Sequence, residues 1–190
     1  MNFVLVHGIN DTCRKFKTMQ AAFERQTHRC IVPSLTPKNA NKGLGYLAQQ
    51  LKDVIHTEMK PDDFPFCLVG FSMGGVIARY YLQVLGGYQN VSHFFTIASP
   101  HHGSGAYLSQ NMGVKQMRPN SDFLNALDES VSCLANIPCY SYWTPLDLMI
   151  LPATSSVWAN AENISFPVLC HPLMVRDGRI ITDILYKAQR

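Results

Sequence analysis

The chain lacks most features that would send it outside the ordinary globular class. No apolar stretch approaches the ~20 residues of a membrane-spanning helix, so no stable membrane insertion is expected. No internal repeat, low-complexity tract or linker divides it, and its 190 residues are read as one domain, 1–190. Charge of either sign is sparse, with 16 Lys and Arg against 13 Asp and Glu. Residues 1–60 hold nine of those bases and four of those acids. Without an Arg-rich helix or interleaved aromatics, that tilt reads as solvated surface and argues against a nucleic-acid partner. The six cysteines (13, 30, 67, 133, 139 and 170) form no C-x-x-C pair and no metal-like spacing with histidine. Cys30, Cys67, Cys139 and Cys170 lie in apolar runs and are read as reduced core residues, which favours a cytoplasmic home. The opening "MNFVLVHG" has neither the basic start nor the long apolar segment of a secretory leader.

What is present is an alternation of short apolar runs and helical stripes. Phe3–Val6, Cys30–Val32, Phe66–Val69, Val91–Ala98, Ile137–Trp143 and Ile164–Cys170 read as strands. Between them Phe16, Met19 and Phe23 recur at helical spacing, as do Leu44, Leu47, Leu51 and Val54. Val76–Leu85 reads as a helix stopped by Gly86-Gly87, 121–129 as a short helix capped by Ser121 or Asp122, and Ile180, Ile181, Ile184 and Leu185 as a closing amphipathic helix. Strand–helix alternation of this kind predicts an α/β fold: a single doubly wound, mostly parallel sheet with helices on both faces. The strands are continuous apolar runs more than alternating ones, as expected when both faces of a sheet are covered. Ligands in such sheets sit at the carboxyl ends of the strands.

At the centre of the pattern stands "LVGFSMGGVIARYY" (68–81), in which Gly70-Phe71-Ser72-Met73-Gly74 fits G-x-S-x-G. As a bare string this arises by chance in roughly one such chain in twenty. Its position, where a buried strand meets a helix, turns it into a nucleophile elbow. A serine there sits on a strained turn with its hydroxyl above the sheet edge, and the new helix directs N–H groups at developing negative charge. The bland alternative is a serine cap in a glycine-rich turn.

A serine hydroxyl needs a general base, and the base needs an orienting carboxylate, in the chain order Ser, Asp or Glu, His. Of the seven histidines, His171 alone follows the last apolar strand at its carboxyl end, so it is the expected base. Asp147, in "YSYWTPLDLMILP", is the expected acid; Glu162 lies at the opposite end of the sheet, and Asp122, Asp128 and Glu129 belong to a polar helix. The oxyanion hole is expected from the backbone N–H groups of Met73 and of Ile9, the latter in the loop "VLVHGIND" (4–11). His101 and His102, in "SPHHGS", are candidates to line the pocket and contact substrate. His7 is a third candidate contact, read first as a residue that holds its own loop by hydrogen bonds.

With these pieces in place the chain resembles the α/β-hydrolase superfamily, and within it the small lidless lipases and esterases with "HG", "SMGG" and "SPHHGS"-like segments. The resemblance runs from Phe3 to the last helix. It implies Ser72 as nucleophile with Asp147 and His171 as partners, the Ile9 and Met73 amides as oxyanion hole, no metal and no cofactor. Family members usually carry two antiparallel strands before the first parallel one; this sequence opens directly on the strand before "HG", so a trimmed sheet of about six strands is expected. The stretch from Ile97 to Ile137 is too short for a cap domain, which implies an open site. The expected activity is hydrolysis of a carboxylic ester, small-molecule or lipid, of short or medium acyl chain, with thioester and amide left open. Acyl transfer from the same acyl-enzyme and a non-catalytic binding module are the alternatives. The aromatics of "YSYW" (140–143) and the basic N-terminal part are compatible with lipid contact, but core packing accounts for the former and solvation for the latter. Oligomeric state is not legible.

Overall fold

In the computed structural model, which describes residues 1–105 and 109–190, one open sheet organises the chain. Its strands are β1 (Asn2–Val6), β2 (Arg29–Ile31), β3 (Phe66–Phe71), β4 (Val91–Ile97), β5 (Cys139–Trp143) and β6 (Glu162–Ser165). They lie in the order β2-β1-β3-β4-β5-β6, and every neighbouring pair is parallel. The helices are α1 (Lys17–Glu24), α2 (Leu44–Glu58), α3 (Met73–Gln83), α4 (Met112–Gln116), α5 (Asp122–Glu129) and α6 (Gly178–Ala188).

The period-two alternation of strand side chains builds two apolar layers. Phe3, Leu5, Val69, Phe71, Phe95 and Ile97 face Phe16, Met19 and Phe23 of the first helical segment and Ile180 and Ile184 of α6. Val4, Val6, Leu68 and Phe94 face Leu47, Leu51 and Ile55 of α2 and Val76 and Ile77 of α3. Both faces of the sheet are therefore covered, which is why β1 and β3 read as largely apolar runs, while β4 also buries His93 and Thr96. The chain leaves β1 toward β2 on one side and returns to β3 on the other, so the strand order reverses between β1 and β3. A crevice opens outside the carboxyl ends of the strands at such a reversal.

Several elements depart from expectation. The last strand lies at Glu162–Ser165, on the sheet edge, and the apolar run 166–170 continues as irregular chain; Pro167 supplies no N–H for a ladder there. The short α4 precedes α5, with Gly113 so close to Ala40 that an added Cβ would sit 2.4 Å from the alanine Cβ. All six cysteines are free thiols; Cys67 and Cys139 are buried, but Cys30 and Cys170 are only partly so. Among the described residues, no helix is long and apolar enough to cross a membrane.

Candidate active site

The turn between β3 and α3 consists of one residue, Ser72, with φ 53° and ψ −125°. A side chain in that region costs roughly 1–3 kcal/mol and persists only where the surroundings enforce it. Here the Ser72 N–H donates to the Ile97 carbonyl at 2.8 Å, and the Ser72 carbonyl accepts from the Gly75 N–H at 3.0 Å. The flanking glycines are required by contact. A Cβ on Gly70 would lie 2.4 Å from the Gly75 Cα, and one on Gly74 only 2.1 Å from the Val6 carbonyl oxygen. The elbow is thus wedged between the end of β1 and the start of its own helix.

The loop after β1 passes directly over the serine: a Cβ on Gly8 would sit 3.1 Å from the Ser72 Cβ. His7 fixes that loop. Its Nδ1–H donates to the Gly8 carbonyl (2.9 Å), and its Nε2 accepts the Leu35 N–H (3.0 Å). Burial lowers the His7 pKa and keeps the ring neutral, as an accepting Nε2 requires. Beyond Gly8, Ile9 lines the cleft beside Ser72, while Met73 opens α3, where the first N–H groups have no intrahelical acceptor.

His171 begins a 3-10 turn (His171–Arg176) after β6, and Asp147 lies in the loop after β5. Both are buried. The His171 Nδ1 is 2.7 Å from the Asp147 Oδ2, and the imidazole lies against the Phe71 ring at 4.8 Å. The other carboxylate oxygen accepts the Met149 and Ile150 N–H groups at 2.8 and 2.9 Å. Burial alone would raise the Asp147 pKa. The bond to His171 and the two amides outweigh it, and the carboxyl is held below its ordinary value. An ionised Asp147 accepts a hydrogen bond from Nδ1–H, which keeps the proton on that nitrogen and leaves Nε2 as the ring nitrogen open to a reacting group. Ser72 and His171 line one cleft of about 160 Å³, together with Ile9, Asn10, Asp11, Lys15, Phe71, Met149 and Pro172.

The three histidines considered as substrate contacts are not in the lining of this cleft. His7 spends both ring nitrogens on its own loop. His101 turns into the core: its ring stacks on Trp158 at 4.7 Å, its Nε2 is 3.0 Å from the Thr96 Oγ1, and the Arg79 guanidinium lies over the same indole at 4.7 Å. His102 is exposed and donates its backbone N–H to Ser155. In their place the cleft uses Asn10, Asp11 and Lys15. Asp11 and Lys15 form an ion pair at 3.5 Å, and the Lys15 ammonium stands 5.1 Å over the Phe71 ring. The i, i+4 spacing of opposite charges just after "HG" was the available signal. Larger grooves exist elsewhere, about 500 Å³ beside α4 and α5 and about 530 Å³ along α6, but both are shallow and neither brings a nucleophile to a base.

A family model described as palmitoyl protein thioesterase matches residues 2–150. No curated protein matches the sequence. Among solved structures, the mature lipase BlEst2 of Bacillus licheniformis superposes with a TM-score of 0.78 at 16% identity, over 98% of this chain and 91% of that one. Aspergillus fumigatus lipase B gives 0.76 at 13% identity, over 92% of this chain and 49% of that one. The methylesterase MES16 of Arabidopsis gives 0.72 at 13%, over 100% and 99%. At such identities the likeness speaks for the α/β-hydrolase fold.

Proposed function

The chain belongs to the palmitoyl protein thioesterase family, and from that membership and the cleft's geometry we propose that it is a serine hydrolase cleaving carboxylic esters or thioesters through an acyl-enzyme on Ser72. The observation that carries this reading is the 2.7 Å bond from His171 to Asp147 beside a strained serine in the same cleft.

The Ser72 Oγ attacks the substrate carbonyl carbon as its proton passes to the His171 Nε2. Asp147 keeps the imidazole in the required tautomer and offsets the charge that forms on it. The carbonyl oxygen becomes an oxyanion facing the N–H groups of Ile9 and Met73, at the N-terminus of α3. As the tetrahedral species collapses, the bond to the alcohol or thiol breaks, and that group leaves with the proton from His171. Water then attacks the acyl-enzyme, gives its proton to His171, and releases the acid while Ser72 recovers its hydrogen.

The cleft bears on the substrate. Its ~160 Å³ falls below the ~300–1,000 Å³ of pockets that enclose a drug-sized ligand. It holds the reacting carbonyl and the first carbons of the acyl group, and the rest of the substrate lies outside. An enclosed methylene is worth about 0.8 kcal/mol. Turnover of p-nitrophenyl esters or acyl thioesters is therefore expected to rise over the first few carbons and then level off.

A fluorophosphonate probe is expected to label Ser72, and Ser72→Ala to abolish both labelling and turnover. Activity retained by Ser72→Ala refutes the reading. Absence of labelling in the wild-type protein would return the chain to a binding role. Partition of the acyl group toward added alcohols in preference to water would reassign it as an acyltransferase.

A further inference from the structure

Exposed large apolar side chains are concentrated in one region. Leu146, Leu148, Met149 and Leu151 stand on the loop that carries Asp147, and Leu169 and Leu173 flank His171. Leu148 and Leu169 are 80% and 78% exposed. The two loops are tied together, because the Thr144 hydroxyl donates to the Val168 carbonyl (2.8 Å) and His171 bonds Asp147. The leucines thus stand on two joined loops, a rim that meets the cleft at Met149 and Pro172. A single exposed leucine needs no explanation, but a contiguous group does. Met149 lines the cleft; the leucines enter neither the packed faces of the sheet nor the cleft lining.

Basic residues flank the rim. Leu169 and Leu173 share a shallow groove with Arg176 and Arg179. The segment Cys13–Phe16 and helix α1 pack against the turn His171–Arg176, which brings Arg14, Lys15 and Lys17 to the same side. Of the local acids, Asp11 pairs with Lys15 and Asp177 with Arg179. Arg14, Lys17 and Arg176 are exposed and enter no ion pair among the described residues. The face thus presents exposed leucines with the unpaired bases Arg14, Lys17 and Arg176 on the side of Leu169 and Leu173.

We propose that this leucine rim, with the basic residues that flank it, is a docking surface for the face of an anionic lipid bilayer. The leucines enter the acyl boundary and the bases meet the headgroups, the two contributions that hold peripheral proteins at an interface. A second copy of the chain fits less well, since it would bring like charges together. The surface owes nothing to the "YSYW" aromatics, of which Tyr142 is buried and hydrogen-bonded to Asp183.

The test is co-sedimentation of the full chain with vesicles of phosphatidylcholine mixed with phosphatidylserine, and with vesicles of phosphatidylcholine alone. Wild type and Ser72→Ala are expected to sediment equally with the anionic vesicles, which separates this proposal from the catalytic one. Leu148→Ser combined with Leu169→Ser is expected to weaken partition at least about tenfold. Arg14→Glu combined with Arg176→Glu removes two bases worth roughly fivefold each, and added salt weakens wild-type binding in the same direction. Thermal unfolding of both double variants should match wild type, because the altered side chains are exposed. Four results each overturn the proposal: no sedimentation with anionic vesicles, equal sedimentation with neutral ones, binding undiminished in the leucine variant, or a wild-type dimer that the leucine variant converts to monomer.

Discussion

Substituting Gly74 by alanine tests how the elbow is held. The added Cβ would lie 2.1 Å from the Val6 carbonyl oxygen and 2.7 Å from that of His7, where real contacts do not fall below 3.0 Å. The shorter contact is thus 0.9 Å too close (3.0 − 2.1), and both obstructing atoms are backbone. β1 is clamped between β2 and β3, so the strain must separate the loop His7–Ile9 from the start of α3. Overpacking of this kind costs about 3 kcal/mol, and alanine's better helix propensity returns about 1. A net loss of about 2 kcal/mol lowers the melting temperature by roughly 4–8 °C in a chain of this size. Activity should fall further than stability. The separated segments carry the Ile9 and Met73 amides, and a misplacement near 1 Å costs about a hundredfold in rate. Two controls bracket the result. Gly86→Ala meets open space but at φ +78°, so it should cost about 1 kcal/mol without touching kcat. Gly178→Ala meets open space at an ordinary φ and should be neutral or slightly stabilising. Thermal unfolding by circular dichroism and kcat on p-nitrophenyl butyrate read all three. A Gly74→Ala protein that melts within a degree of wild type, or that melts early yet keeps its kcat, would refute the wedge or its link to the proposed oxyanion hole.

Asp147→Asn keeps the shape of the site but removes the charge that sets the His171 tautomer. Steady-state kinetics should show kcat falling by about 10³–10⁴ with far less change in KM, and a loss under tenfold would remove Asp147 from the reaction. Asp147 has a lowered pKa in the folded chain, so its contribution is whole above the ordinary carboxylate value near 4. It drains away as pH falls through the lower folded value, and urea unfolding of Asp147→Asn should lack that acid-side loss. His101 acts in a higher window. Burial first, then the neighbouring Arg79 charge, pushes its pKa well below 6.5. The unfolded chain therefore binds the extra proton, and stability should fall as pH drops below about 6.5, by up to about 1.4 kcal/mol per unit. His101→Gln should flatten that slope, and an unchanged slope would show that other histidines carry it. Arg79 is buried on Trp158 and paired with a half-exposed Asp128 at 2.7 Å. Arg79→Met should cost about 1–3 kcal/mol in denaturant titration while leaving kcat near wild type; a large kcat loss would tie that cluster to the cleft.

The central sheet was legible because β1, β3 and β4 are covered on both faces, which makes such strands predominantly apolar. The elbow was legible for a related reason: Gly70 and Gly74 answer backbone contacts that no other residue tolerates. Chain order singled out His171 and Asp147, and the fold brings the two within hydrogen-bonding distance. What escaped lies where one residue type serves opposite ends. The run "ISFPVLC" reads as a strand, yet only its first two residues pair with β5, and Leu169 projects from the surface. Apolarity in an edge segment has two sources, a core to fill or a surface to present, and a one-dimensional pattern carries no sign that separates them. The adjacent histidines of "SPHHGS" meet the same limit. His101 finds an indole and a threonine hydroxyl inside while His102 faces water, a choice made by Trp158 from far along the chain. Asp11 and Lys15 reach the cleft from a short non-periodic segment, where only the fold decides which solvated pair also lines a site. Residues constrained by backbone contact are therefore readable locally. Residues whose neighbours arrive from distant chain are not, and in this protein those include the groups that line the cleft around Ser72.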